Sequence, residues 1–215
     1  MGPQSYEAKT RYQDERVADN YDKRRFTGLK GKWTDQLEKK RVRQALAYAI
    51  VSGPVLDVPC GTGRMTQMLL DLGYSVTAGD ISEIMMKHAR ERLKNYPKDV
   101  EFVTCDIENL QFPDGAFDLI LTLRLLHHIP PALHPKIFAQ FHRVTRRWVI
   151  LTFSNKFTLQ SVRRDLNSLV TKFPRYSVSP KLFRKEVELA GFEIKKYLPL
   201  MPIVSESVTV LLEKR

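Results

Sequence analysis

A doubly wound α/β fold, a mostly parallel sheet of seven strands with helices on both faces and an antiparallel edge strand, is what the element order predicts. Three observations lead there. Short apolar runs alternate with helix-length amphipathic segments between Val55 and Phe153. The run Phe117–Leu123 is apolar on both faces, as a central parallel strand is. The last two runs, Phe192–Leu198 and Ser207–Leu212, alternate and are joined near Met201–Val204, which predicts an antiparallel pair at one edge.

Each element has its own signal. Residues 1–32 are polar and rich in Tyr, Arg and Asp, which predicts a flexible start with one short helix around Asp14–Asp22. An amphipathic helix is expected over Asp35–Ile50, with Leu37, Val42, Ala45, Leu46 and Ala49 inward and Asp35 and Glu38 in its first turn. Strand Val55–Val58 leads into helix Arg64–Leu72, which Gly73 stops. Strand Ser75–Ala78 leads into a helix over Ser82–Asn95, capped by Ser82 and followed by Pro97. Strand Val100–Cys105 precedes a loop holding Pro113, Asp114 and Gly115. A helix around Ala132–Thr145 returns to strand Trp148–Phe153. The last third opens with a basic-faced helix over Lys156–Val170 and a loop over Lys172–Ser179. A helix started by Ser179-Pro180 and ended by Gly191 then precedes the terminal strands.

Composition bounds the function. A chain of 215 residues with 43% hydrophobic content suits one soluble domain. It shows no apolar run near the roughly 20 residues of a membrane span and no signal peptide, so a cytoplasmic location is expected. Cys60 and Cys105 are the only cysteines and read as reduced thiols; no Cys/His cluster has zinc-ligand spacing. The net charge of +11 is uneven. Residues 1–50 hold 12 Lys/Arg against 7 Asp/Glu, residues 51–154 hold 11 against 11, and residues 155–196 hold 10 against 4. The flanks therefore carry the excess, either as a solvated surface or as a surface for something anionic.

The chemistry lies in Val55–Arg64, VLDVPCGTGR, and in Ser75–Ser82, SVTAGDIS. The first is a strand ended by Pro59, with Gly61 and Gly63 permitting a tight turn and a close ligand approach. The second is a strand tipped by Asp80. Together they make the nucleoside-binding half of an open α/β sheet. A phosphate loop is excluded, because no Gly-Lys-Ser/Thr is present. A dinucleotide turn lacks its third glycine, since Gly63 is followed by Arg64, Met65 and Thr66. Asp57, inside the strand before the turn, would repel a pyrophosphate and attract a cationic amino-acid arm.

Those motifs, with TCDIENL at Thr104–Leu110 and FDLILTLRLLHHIP at Phe117–Pro130, resemble the class I S-adenosylmethionine-dependent methyltransferases of the small-molecule type. The resemblance covers roughly Pro54–Phe153 and implies a Rossmann-like fold. It implies that Asp57 and the Cys60–Gly63 backbone receive the methionine arm, that Asp80 accepts from the ribose hydroxyls, and that Ile81 packs on the adenine. Asp106 would accept from the adenine amino group beside Ile107, and Pro59, Arg64, Met85 and Cys105 complete the pocket. Leu123 and Arg124 would line the methyl passage. The segment YQDERVADNYDKRRF resembles an amino-terminal lid, with Tyr21 and Arg25 reaching the cofactor and Phe26 and Trp33 walling the acceptor or packing the lid. On this reading residues 1–50 are lid and first helix, 51–154 the cofactor core, and 155–215 the acceptor side of a single domain.

His127 and His128 stand where some related enzymes carry metal-binding carboxylates; those are missing here, so no metal is expected. A histidine at the site mouth can serve as general base, or the pair can cap the strand and orient its loop. The basic flanks point to an acceptor, or a carrier of it, bearing carboxylate or phosphate. Arg124, Arg163, Arg164, Arg175 and Tyr176 are the candidate contacts. The other readings are a nucleic-acid methyltransferase, a non-catalytic S-adenosylmethionine-binding protein, and an NAD-dependent oxidoreductase. The expected product is S-adenosylhomocysteine, and the assembly a monomer or homodimer.

Overall fold

The computed structural model describes residue 9 and residues 13–96, 98–167 and 175–215, with side chains other than those at 19, 23, 24 and 164–167. Its seven strands are β1 (Val55–Asp57), β2 (Val76–Asp80), β3 (Val100–Thr104), β4 (Phe117–Thr122), β5 (Thr145–Ser154), β6 (Phe192–Pro199) and β7 (Ser207–Lys214). They form one sheet in the order β3-β2-β1-β4-β5-β7-β6. Strands β1 to β5 are parallel, and β7 runs against both β5 and β6. The sheet is therefore doubly wound with an antiparallel pair at one side, the reversed strand lying just inside β6. The chain order turns back between β1 and β4, which leaves a crevice at the carboxyl ends of those strands.

Eight α-helices are described after residue 13. They are α1 (Glu15–Asp19), α2 (Tyr21–Phe26), α3 (Gly28–Leu46), α4 (Arg64–Asp71), α5 (Glu83–Arg92), α6 (His134–Val144), α7 (Leu159–Asn167) and α8 (Pro180–Leu189). Short 3-10 turns occupy Leu126–His128 and Pro131–Leu133. Ser82 and Ser179 cap α5 and α8, each hydroxyl accepting from the N–H three residues on, Met85 and Leu182, at 3.2 Å.

Side-chain alternation on the strands makes two cores. On one face Ile120, Val149 and Leu151 meet Phe138 and Phe141 of α6 and Phe183 of α8. Phe153 and Phe183 stack there, ring centres 4.1 Å apart. On the other face Leu119, Leu121, Trp148 and Ile150 meet Val42 and Leu46 of α3 and Met68 and Leu69 of α4.

Several boundaries differ from expectation. The helix expected at Asp14–Asp22 is two short helices, α1 and α2, broken at Asn20. The helix expected from Asp35 begins at Gly28 and ends at Leu46. Strand β2 continues to Asp80, α5 stops at Arg92, and α6 starts at His134 after the Pro131–Leu133 turn. The basic helix starts at Leu159, and its expected end at Val170 lies outside the described residues. No described helix is long and apolar enough to cross a membrane.

Candidate active site

A cavity opens in the crevice at the carboxyl ends of β1, β2 and β4, enclosing about 890 Å³ of empty space out to its mouth. Its floor is the turn from Pro59 to Thr62, where the Val58–Pro59 peptide is cis. Gly61 and Gly63 have φ of +55° and +75°. A Cβ on Gly63 would press on Ala89 of α5 at 3.0 Å, so glycine lets the turn and α5 lie close.

Two carboxylates define the chemistry. Asp57 ends β1 with 2% exposure, and its Oδ2 accepts from Thr66 Oγ1 in the first turn of α4 at 2.6 Å. Burial pushes its carboxyl up to about 7, against the pull of the Thr66 hydrogen bond and the Arg64 guanidinium. Asp80 ends β2 with 5% exposure. Its Oδ2 accepts from the Gly61 N–H at 2.8 Å and its Oδ1 from the Ser82 N–H at 2.9 Å. Burial pushes it up to about 6, with those backbone donors holding it down.

Of the residues expected at the site, Tyr21, Asp57, Pro59, Cys60, Gly61, Arg64, Asp80, Ile81, Met85, Leu123, Arg124 and His128 line this cavity. Others stand behind it. Cys105 is buried, its sulfur lying over Gly79 of β2. Ile107 belongs to the core. Asp106 accepts from Lys9 Nζ at 2.7 Å and from the Glu108 N–H at 2.9 Å. The Arg25 guanidinium lies 4.9 Å from the centre of the Tyr21 ring.

The histidines separate. His128 faces the cavity, whereas His127 is buried, its ring centre 4.1 Å from that of His128. His127 Nε2 lies 3.2 Å from Arg175 Nη2. A guanidinium only donates, so Nε2 accepts and the His127 proton sits on Nδ1. Burial, His128 and the Arg175, Arg25 and Arg124 guanidiniums hold its pKa well below the usual histidine value. The Tyr176 N–H donates to the His127 carbonyl at 2.9 Å. Arg163 is exposed on α7, and the Arg164 side chain lies outside the described residues. Among the described residues no three His, Cys, Asp or Glu groups are placed to hold a metal.

Sequence reading missed three wall or support residues. Glu38, 2% exposed on α3, accepts from Arg64 Nη2 at 2.7 Å, from Arg124 Nε at 2.8 Å and from Arg124 Nη2 at 2.6 Å. The Phe26 ring lies beside both guanidiniums, at 4.2 and 5.1 Å. The signal for Glu38 was its place on one helical face with Val42 and Ala45. Lys9 lines the cavity and pairs with Glu108 at 2.5 Å, and Thr66 holds Asp57. Neither contact leaves a local sequence signature.

The methyltransferase domain family matches residues 55–147 of this chain. Over 103 residues the chain is 33% identical to a malonyl-[acyl-carrier protein] O-methyltransferase of Serratia marcescens, covering 46% of the chain and 37% of that protein. Over 124 residues it is 32% identical to a demethylmenaquinone methyltransferase of Tropheryma whipplei, covering 57% and 49%. The chain spans about half the length, or less, of the curated relatives it matches. In fold it resembles the magnesium protoporphyrin IX methyltransferase of Synechocystis PCC 6803 with bound S-adenosylhomocysteine. There the TM-score is 0.79 at 22% identity, over 96% of this chain and 100% of that one. Residues 55–147 thus match a methyltransferase domain, a family that takes its methyl group from S-adenosylmethionine, and the fold is that of a solved methyltransferase. The cavity suits that cofactor: a desolvated carboxylate at Asp57 matches an ammonium, and Asp80 keeps lone pairs beyond its two backbone donors for hydroxyls.

Proposed function

We propose that the protein transfers a methyl group from S-adenosylmethionine to a small-molecule acceptor that bears, or is carried by, a carboxylate or phosphate. The observation that carries this reading is the pair of buried carboxylates, Asp57 and Asp80, on one cavity beside the Gly61–Gly63 turn within the matched domain. The cofactor supplies an electrophilic methyl group on a sulfonium. Asp57 binds the cationic arm, Asp80 orients the ribose, and Leu123 and Arg124 border the path of the acceptor. His128, on the cavity wall, accepts the proton of a hydroxyl acceptor at a ring nitrogen. His127 does not share that task, because its Nε2 is engaged by Arg175 and its charged form is disfavoured. Holding donor and acceptor in line is worth about 7–11 kcal/mol of barrier. An anionic acceptor is supported by the three guanidiniums, Arg175, Arg25 and Arg124, that act together on His127.

Titration calorimetry with S-adenosylmethionine and S-adenosylhomocysteine, followed by turnover with carboxylate- and phosphate-bearing acceptors, tests the proposal. Binding that Asp80→Asn weakens by roughly ten-fold or more, the scale of a lost charge-assisted hydrogen bond, supports it. Absence of binding to either compound overturns it.

A further inference from the structure

Seven of the thirteen large apolar side chains exposed among the described residues lie on three segments at the carboxyl end of the parallel strands. Phe157, Leu159 and Val162 stand on the start of α7, directly after β5 ends. Ile203 and Val204 stand on the connection between β6 and β7 at the same end of the sheet. The two segments are bonded together: the Leu159 and Gln160 N–H groups donate to the Ile203 and Val204 carbonyls at 3.0 and 3.1 Å. Phe157 is 70% exposed and Ile203 76%, the latter at φ +66°, a conformation that β-branched residues rarely adopt. Leu29 and Trp33 add further exposed surface on the first turns of α3, which begin beyond Glu38 on the cavity side. None of these side chains lines the cavity.

The exposed charges described on these segments have one sign; Asp35 and Glu206, directly after two of them, are little exposed and paired with Arg64 and Arg175. Over residues 27–34, 155–163 and 200–205 the charged side chains are Lys30, Lys32, Lys156 and Arg163, and all four are exposed. Protruding apolar side chains among cations, with no acid on those segments, match the interface of an anionic bilayer, where apolar groups enter the acyl boundary and cations meet the headgroups. A second copy of the chain fits poorly. An isologous contact through this face would oppose two sets of four like charges.

We propose that this end of the molecule docks on the surface of an anionic lipid bilayer, with the cavity mouth towards the membrane. The docking does not depend on methyl transfer. Entry of the acceptor from the bilayer would follow only if the proposed activity holds.

Flotation of the full chain with phosphatidylcholine vesicles, and with vesicles of phosphatidylcholine and phosphatidylglycerol at about 3:1, reads the docking directly. The protein should float with the anionic vesicles, and raised salt should weaken that binding. Lys32→Gln/Lys156→Gln should lower partitioning roughly 25-fold, about five-fold for each cation. Phe157→Ser/Ile203→Asn should lower it at least roughly ten-fold at every salt concentration. Both variants should keep the melting temperature and the S-adenosylmethionine affinity of the parent, which separates lost docking from lost folding.

Wild-type protein that stays with the aqueous phase overturns the proposal. So does a Phe157→Ser/Ile203→Asn variant that floats unchanged. Concentration-dependent self-association, or retention on an acidic carrier protein, would reassign the face if the same variant abolished it while wild-type flotation was absent. Because flotation needs neither cofactor nor acceptor, its failure leaves the methyl-transfer reading intact, and failed turnover leaves the docking intact.

Discussion

Asp57 is neutralised in the ligand-free protein at a pH where surface carboxylates are fully charged, because β1 delivers it into a site with 2% exposure. Its folded-state value of about 7 lies above the ordinary 3.8. The group therefore adds stability to the ligand-free fold that is complete below about 3.8 and is lost as pH rises through about 7. On the proposed pairing of Asp57 with the cofactor's ammonium, binding has the opposite preference, since an ammonium pairs only with the carboxylate. Binding should release a proton between about pH 6 and 7, and affinity should fall as pH drops through that window. Calorimetry in buffers of different ionisation enthalpy measures the released proton; an uptake, or no exchange, would refute the pairing. Thr66→Val removes a hydrogen bond to the charged form and should move the acid limb up by about one to two pH units. Asp57 itself was legible, because an acid inside an apolar strand needs a reason. Thr66 was not, since its partnership arises only when the Gly61–Gly63 turn brings α4 back over the end of β1.

At the scale of elements, α3 is tied to the site by one buried acid. Glu38 holds Arg64 at the start of α4 and Arg124 just after β4, while Asp35 also pairs with Arg64. Arg124 has φ +57°, a strained backbone for arginine, and it is fixed there by Glu38 and by its N–H donating to Thr152 Oγ1 at 2.7 Å. Glu38→Gln removes the carboxylate from Arg124 and leaves Arg64 with Asp35 alone, and breaking a buried pair costs about 3 kcal/mol. The expected fall in melting temperature is about 6–12 °C, with a weaker cofactor complex because both arginines line the cavity. Thermal unfolding checks it, and an unchanged midpoint would refute the tie. This helix is expected only from Asp35 because residues 1–32 are polar and lack sustained apolar periodicity, and Gly28 and Gly31 also disfavour helix. Packing reverses that preference: a Cβ at Gly31 would come within 2.8 Å of the Phe26 carbonyl carbon, so glycine lets α2 and α3 turn tightly. The split of the first helix at Asn20 and the 3-10 turns after β4 were illegible for the same reason, being set by what packs on them.

At the scale of the whole molecule, the mostly parallel sheet followed from the alternation of apolar runs and helices, but the strand order did not, and neither did the place of β7 between β5 and β6, because either order satisfies two alternating strands. That placement matters for charge. It sets Glu206, at the start of the β6–β7 pair, within reach of Arg175, whose Nη1 lies 3.6 Å from Glu206 Oε1 while Nη2 meets His127. Arg25 comes from the opposite flank, 150 residues earlier by its numbering, and acts on the same histidine. The two basic flanks of the chain thus each bring one guanidinium to bear on His127, beside the cavity-lining His128. If the acceptor is anionic, Arg25→Gln and Arg175→Gln should each raise its Michaelis constant about five- to ten-fold, the worth of one charge-assisted contact. The rise should shrink in high salt, where the wild type also loses the long-range part of the attraction. Arg175→Gln should in addition free His127 Nε2 and let its pKa rise, adding a second ionisation to the pH–rate profile, which Arg25→Gln should not do. Cofactor affinity should change little in Arg175→Gln, since Arg175 is not on the cavity wall among the described residues. Steady-state kinetics with matched anionic and neutral acceptors decides the matter: equal Michaelis constants for wild type and both variants would show that the flanking charge serves some purpose other than acceptor recognition.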